Sequence, residues 1–129
     1  MNRVLTMFGI ACVLASVAAA AGTQSSSDDE RRDAIRLLRA INTAENAVAS
    51  RNGRKYVSLQ ELIEHPQMGG VKPDITMSAG AVTYQAAQIR LALSADASQY
   101  VVTVVSGAPN YTAAFTDERG VIYTGEALK

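Results

Sequence analysis

The chain has 129 residues, which suits one domain with its own core. Lys plus Arg and Asp plus Glu stand at 12 each, so no net field draws nucleic acid or an anionic lipid surface. There is no Trp, and the single Cys, Cys12, lies in an apolar N-terminal stretch; a chain that loses this stretch has no thiol for a disulfide, a Cys-ligated metal or a Cys nucleophile.

Arg3 supplies a short positive region, and Val4 to Ala21 is apolar or small apart from the hydroxyls of Thr6 and Ser16. Ala18-Ala19-Ala20 and Ala19-Ala20-Ala21 both give the A-x-A pattern of a signal peptidase site. The expectation is a secretory signal over residues 1–21, cleaved near Ala20–Gly22, with an extracytoplasmic (periplasmic or secreted) mature protein. An uncleaved anchor is the competing reading, although the apolar run falls at the short end of a membrane-spanning helix. A lipidated Cys12 is disfavoured, because Gly9 stands where a lipobox wants an aliphatic residue. Loss of residues 1–21 removes Arg3 and leaves the protein nearly neutral.

Residues 22–27, small and polar, read as a flexible tether, and residues 28–129 as one domain. Ser27 or Asp28 is a good N-cap, and Asp28, Asp29 and Glu30 suit the positive end of a helix dipole. The helix is predicted to run to Arg51, where Asn52-Gly53 gives a termination signal. At 100° per residue, Ala34, Leu37, Leu38, Ile41, Ala44, Val48 and Ala49 fall within one arc of about 140°, an amphipathic face. Asp29–Arg32 and Asp33–Arg36 are spaced for surface ion pairs on the other side. Glu45 breaks the pattern by pointing into the apolar arc, where a carboxylate needs a partner, a proton or a place at the rim. The expected partner is Arg90 or a Tyr hydroxyl.

Ser58 and Glu61 form an S-x-x-E capping box, which predicts a short helix over 59–64, ended by Pro66. "PQMGGVKPD" reads as a loop. Residues 81–85 form a candidate extra strand, while "YQAAQIRLAL" is ambiguous between strand and helix. Ile89, Leu91 and Leu93 alternate with Gln88, Arg90 and Ala92. "QYVVTVV" reads as a central strand, and "YTAAFT" places Tyr111, Ala113 and Phe115 on one face. "DERG" is a tight turn with Gly120 at the position needing positive φ, and "VIYT" pairs back. The fold class expected is α+β, a long N-terminal helix packed on an antiparallel sheet of three or four strands. Leu91, Leu93, Val102, Val104 and Phe115 are the expected sheet core.

Little chemistry is legible. One His, His65, without Cys cannot build a common Zn site, and it reads as a helix-end residue. There is no P-loop, G-x-G-x-x-G, EF-hand or G-x-S-x-G. Asp117 and Glu118 read as turn residues rather than an acid/base pair or a Ca²⁺ site. Asn110-Tyr111-Thr112 matches a glycosylation sequon, a short pattern common by chance. The five Tyr are expected mostly at the core edge, with a carbohydrate- or protein-binding face as the alternative. No catalytic, cofactor-binding or metal-binding residue is assigned.

"RAINTAENAVASRNGRKYVSLQEL" resembles the soluble half of bacterial type IV pilin-like proteins and pseudopilins, where a helix with a phrase like "INTAE" leads to a "Y-x-S-L" turn. "SQYVVTVVSG" and "FTDERGVIYTG" look like that family's strand pair and final hairpin, so the resemblance covers about residues 34–129. It implies a long helix packed on an antiparallel sheet. Family members carry a processing glycine followed by an apolar helix with glutamate at its fifth position. Here the fifth residue after Gly9 is Leu14, no acid precedes Asp28, and "GTQSSSDDERR" interrupts the apolar run. The disulfide loop of many pilins is absent too.

The function expected is that of a non-enzymatic exported protein with a pilin-like domain. It would act by contact with a protein partner, as an accessory of a pilus or a type II-like secretion apparatus, without nucleic acid or cofactor. The alternatives are a minor pilin or pseudopilin anchored in a membrane or fibre by a retained N-terminus, and a small secreted hydrolase or carbohydrate-binding module.

Overall fold

The structure is a computed structural model that describes residues 18–107 and 112–126. Residues 1–17 of the expected signal sequence, with Cys12, and Asn110 and Tyr111 of the sequon lie outside the described residues.

One long helix, α1 (Ala18–Arg51), is followed by a single short one, α2 (Leu59–Ile63), and two 3₁₀ turns, Pro66–Met68 and Lys72–Asp74. Among the described residues six strands follow: β1 (Ile75–Ser78), β2 (Ala81–Tyr84), β3 (Ala87–Leu93), β4 (Tyr100–Ser106), β5 (Thr112–Asp117) and β6 (Ile122–Glu126). They form one antiparallel sheet in chain order. The architecture is α+β, as expected, but the sheet has six strands rather than three or four.

β2 falls on the candidate extra strand at 81–85, whereas β1 has no counterpart among the expected strands. β1 and β2 are joined by Ala79-Gly80, both with positive φ (48° and 81°), the geometry of a tight two-residue hairpin. At Gln85 the backbone again turns to positive φ, 52°, which breaks any helix through "YQAAQIRLAL" and starts β3. β1 is a four-residue edge strand with only Ile75 partly buried, and its alternation of Ile75 and Met77 with Thr76 and Ser78 is too short to stand out from a loop.

α1 starts before the expected cap at Ser27 or Asp28 and includes residues 22–27, the expected tether. Ala18 to Ala21 have the strongest helix propensity, and an established helix extends at little cost. The other end follows expectation. Gly53 has φ 59°, and the Arg54 N–H reaches back to the Ala49 carbonyl at 2.8 Å, the six-to-one bond of a Schellman motif. The capping box of α2 is formed, and Leu59, Leu62 and Ile63 are buried. The turn between β3 and β4 docks on the chain between the helices, where the Tyr56 N–H donates to the Ala97 carbonyl.

The core lies between α1 and one face of the sheet. Leu37, Leu38, Ile41 and Ala44 are fully buried against Val102, Val104 and Ala114, with Leu62, Met68 and Val71 closing one side. Leu91 is only partly buried, and Leu93 is exposed at the end of its strand. Phe115 is a correction. It shares a face with Ala113 as expected, but that face points away from the helix, because Ala114 and Thr116 take the inner positions. Alternation fixes which residues share a face, not which face meets the helix.

Two outcomes test this fold. Ile41→Asp puts a charge at the centre of the contact and should cost about 4 kcal/mol or more, abolishing cooperative thermal unfolding by circular dichroism. Ala79→Asn turns Ala-Gly into Asn-Gly at a left-handed position and should stabilise the protein by about 0.5–1 kcal/mol in urea denaturation.

Candidate functional site

Three features of the described residues could carry function: a buried polar seam, a small cavity and an uncovered sheet face.

The seam lies where α1 crosses the sheet. Asn42 follows Leu38 by four residues and precedes Ala49 by seven, so it falls on the buried side of the helix. The Tyr100 hydroxyl donates to Asn42 Oδ1 at 2.7 Å. Asn42 Nδ2 donates to Thr116 Oγ1 at 2.9 Å, and that hydroxyl donates to the Val121 carbonyl at 2.9 Å. One carboxamide thus ties α1 to β4, to β5 and to the turn before β6. Burial pushes the Tyr100 phenol upward, with the Glu45 charge adding to the effect, so the ring stays a neutral donor. Its face is met edge-on by Tyr56, with centroids 4.7 Å apart.

Glu45 lies one turn beyond Asn42 and is 0 % exposed. Its Oε2 accepts the Val57 N–H at 3.1 Å, whereas its Oε1 is buried with no hydrogen-bond partner. Neither expected partner serves it. Arg90 is exposed on β3 and donates to Gln88, and the Tyr100 hydroxyl is taken by Asn42. Burial pushes the carboxyl up to about 7; the Val57 N–H opposes the shift and the Glu61 charge adds to it.

The cavity, about 120 Å³, lies between α1 and the β2–β3 turn. Glu30 and Asp33 line its helix side, and Tyr84, Ala87, Val104 and Ser106 its sheet side. Ser106 Oγ donates to Glu30 Oε2 at 2.9 Å. Tyr84 is buried, and its hydroxyl has no hydrogen-bond partner.

On the outer face of the sheet, Phe115 and Tyr123 are directly paired across β5 and β6. Their rings stack at 4.8 Å and 15°, and they are 45 % and 42 % exposed. Val101 and Val121 are exposed nearby. A broad, shallow depression runs over β3, β4 and the β1–β2 hairpin, lined by Gln88, Arg90, Val101 and Thr103 and also by Ile89 and by Leu59 of α2. α1 packs on the opposite face of the sheet.

The residues singled out from sequence are scattered. His65 caps the Pro66–Met68 turn, its Nδ1 accepting the Gln67 N–H at 3.3 Å. Asp117 accepts from the backbone and guanidinium of Arg119, which holds its carboxyl below the usual range. It ends β5, and its carbonyl accepts the Gly120 N–H across the turn that contains Glu118. No three His, Cys, Asp or Glu side chains gather for a metal among the described residues. Tyr84 and Tyr100 are core residues, Tyr56 is half-buried, and Tyr123 is exposed. Asn42 went unread in the sequence although its spacing of four from Leu38, three from Glu45 and seven from Ala49 marks the inner face. Comparison with protein-family models, curated proteins and solved structures finds no match to this chain.

Glu45 makes stability depend on pH. Its carboxyl titrates near 7 in the fold and near 4.5 when unfolded, so between these values the native state holds the extra proton. Stability should fall by on the order of 2–3 kcal/mol as pH rises through that window and level off above it. Glu45→Gln should flatten the profile when melting temperature is followed from about pH 5 to about pH 8. A slope that persists in this variant assigns the effect to another group.

Proposed function

We propose that this chain is a non-enzymatic exported protein whose pilin-like domain works by protein–protein contact, as an accessory of a pilus or a type II-like secretion apparatus. The observation that carries this reading is the uncovered sheet face with the stacked Phe115–Tyr123 pair. Aromatic side chains held on strands offer large contact area at little entropy cost, and such residues anchor protein interfaces. The depression over β3, β4 and the β1–β2 hairpin supplies a seat for a partner's projecting side chains.

A second reading has one observation in its favour. α1 continues without a break to Ala18, so the helix runs into the C-terminal end of the apolar segment. An anchored subunit, with one helix passing from membrane or fibre into the domain, would look like this. Among the described residues no helix is long and apolar enough to cross a membrane.

Two measurements on the full chain in its own cell test the proposal. Intact mass by fraction separates the two readings: a chain starting at Ala21 or Gly22 in the soluble extracytoplasmic fraction supports the first, and a full-length chain with the membranes or sheared fibres supports the second. A photo-crosslinking residue at Thr103, on the outer sheet face, should trap an envelope protein of a pilus or secretion apparatus, while one at exposed Arg39 on α1 should not. Phe115→Asp should reduce the adduct about tenfold with melting temperature unchanged. Equal adducts from both positions, or none from Thr103, would overturn the contact face.

A further inference from the structure

The Asn52-Gly53 stop at the end of α1 is only half made. The Arg54 N–H reaches the Ala49 carbonyl at 2.8 Å, but the companion bond of a Schellman motif, from the Gly53 N–H to the Ser50 carbonyl, is not formed. Among the described residues the Gly53 N–H has no acceptor, and the Asn52 carboxamide makes no hydrogen bond either. Both residues are exposed. Nothing lies within 4 Å of where a Cβ on Gly53 would stand, so this side of the turn is open to water. The peptide between the two residues is held by a single bond, from the Lys55 N–H to the Asn52 carbonyl at 3.1 Å.

The chain itself places the backbone nitrogen after an asparagine beside the side-chain carbonyl carbon, and such proximity favours intramolecular attack. Three restraints oppose it: an N–H committed to an acceptor, a carboxamide committed to partners, and a following side chain that crowds the nitrogen. All three are missing at Asn52-Gly53. The other described asparagines keep them. Asn42 is buried, with its oxygen used by Tyr100 and its nitrogen by Thr116. Asn46 lies within α1 and is followed by Ala47, whose backbone belongs to the helix.

We propose that Asn52 is a modification site, at which the chain deamidates and isomerises without an enzyme. The Gly53 nitrogen gives its proton to water and attacks Cγ of Asn52. The N–Cγ bond forms, the Cγ–Nδ2 bond breaks, and the leaving nitrogen takes a proton from water and departs as ammonia. Water then opens the succinimide ring at either carbonyl. Opening at Cγ gives aspartate; opening at the backbone carbonyl gives isoaspartate, with the main chain running through the former side chain. Water is the only co-reactant. Isoaspartate lengthens the main chain at the left-handed turn, ahead of the connection whose Tyr56 N–H meets the Ala97 carbonyl and whose Val57 N–H meets Glu45.

The test holds the full chain, folded, at neutral pH and physiological temperature for several weeks. Samples are mapped with a protease that works in acid, where the ring does not close. Position 52 should convert at least about tenfold faster than Asn46, with isoaspartate in excess of aspartate. The rate should rise with pH, because the attacking nitrogen must lose its proton. The same chain unfolded in urea sets the ceiling, and the folded chain should react within about tenfold of it. Asn52→Gln, which has to close a larger ring, should keep its amide and melt with the parent. An Asn52 that stays intact in the folded chain while it converts in urea would overturn the site, because the fold then protects it. Conversion no faster than at Asn46, or aspartate without isoaspartate, would overturn it as well, since the second result means direct hydrolysis and no ring.

Discussion

A single carboxamide decides where the long helix lies on the sheet. The apolar residues of α1 would gain nearly as much area if the helix slid by a turn, because Leu, Ile and Ala repeat along its face. Asn42 removes that freedom. Its oxygen and nitrogen are both used, by Tyr100 from β4 and by Thr116 from β5, and Thr116 passes the chain on to the Val121 carbonyl. A slid helix would bury these groups unpaired, at a cost of about 1–3 kcal/mol for each. The seam therefore selects one arrangement out of several of similar hydrophobic content.

Glu45 belongs to the same helix face but acts in the opposite sense. One of its oxygens anchors the chain after α1 through the Val57 N–H, while the other is buried without a partner. The fold tolerates it because the carboxyl can take a proton, which its burial favours. The segment between the helices is thus held by a group whose charge changes near neutral pH. That same segment receives the β3–β4 turn through the Tyr56 N–H and the Ala97 carbonyl, so the proton on Glu45 bears on how two parts of the structure meet.

The two faces of the sheet divide the labour. The inner one is closed by α1, α2 and the 3₁₀ turns, and it supplies stability. The outer one carries a stacked aromatic pair and exposed valines, which the fold itself does not need. Tyr84 and its cavity occupy the margin between them, at the turn where the sheet meets the first charged stretch of the helix. The proposed protein contact on the open face uses side chains that the core leaves unused.

The sequence by itself determined the local structure. The three-to-four spacing from Ala34 to Ala49, the Asn52-Gly53 stop, the Ser58–Glu61 box and the β-branched run at 100–105 each state a preference that a few neighbouring residues enforce. The antiparallel α+β class follows from those preferences. Only the tertiary structure decided the rest. β1 exists because the hairpin at Ala79-Gly80 pairs it with β2, and four residues are too few for their alternation to mark a strand. Phe115 faces outward because Ala114 and Thr116 fit under the helix at Asn42, and period-two alternation cannot choose a face. One oxygen of Glu45 is met by the Val57 N–H, twelve residues on, rather than by Arg90, because the loop after α1 folds back over it. The unpartnered Tyr84 hydroxyl is likewise invisible in sequence, since a missing partner is a property of the space around a side chain and not of its neighbours along the chain.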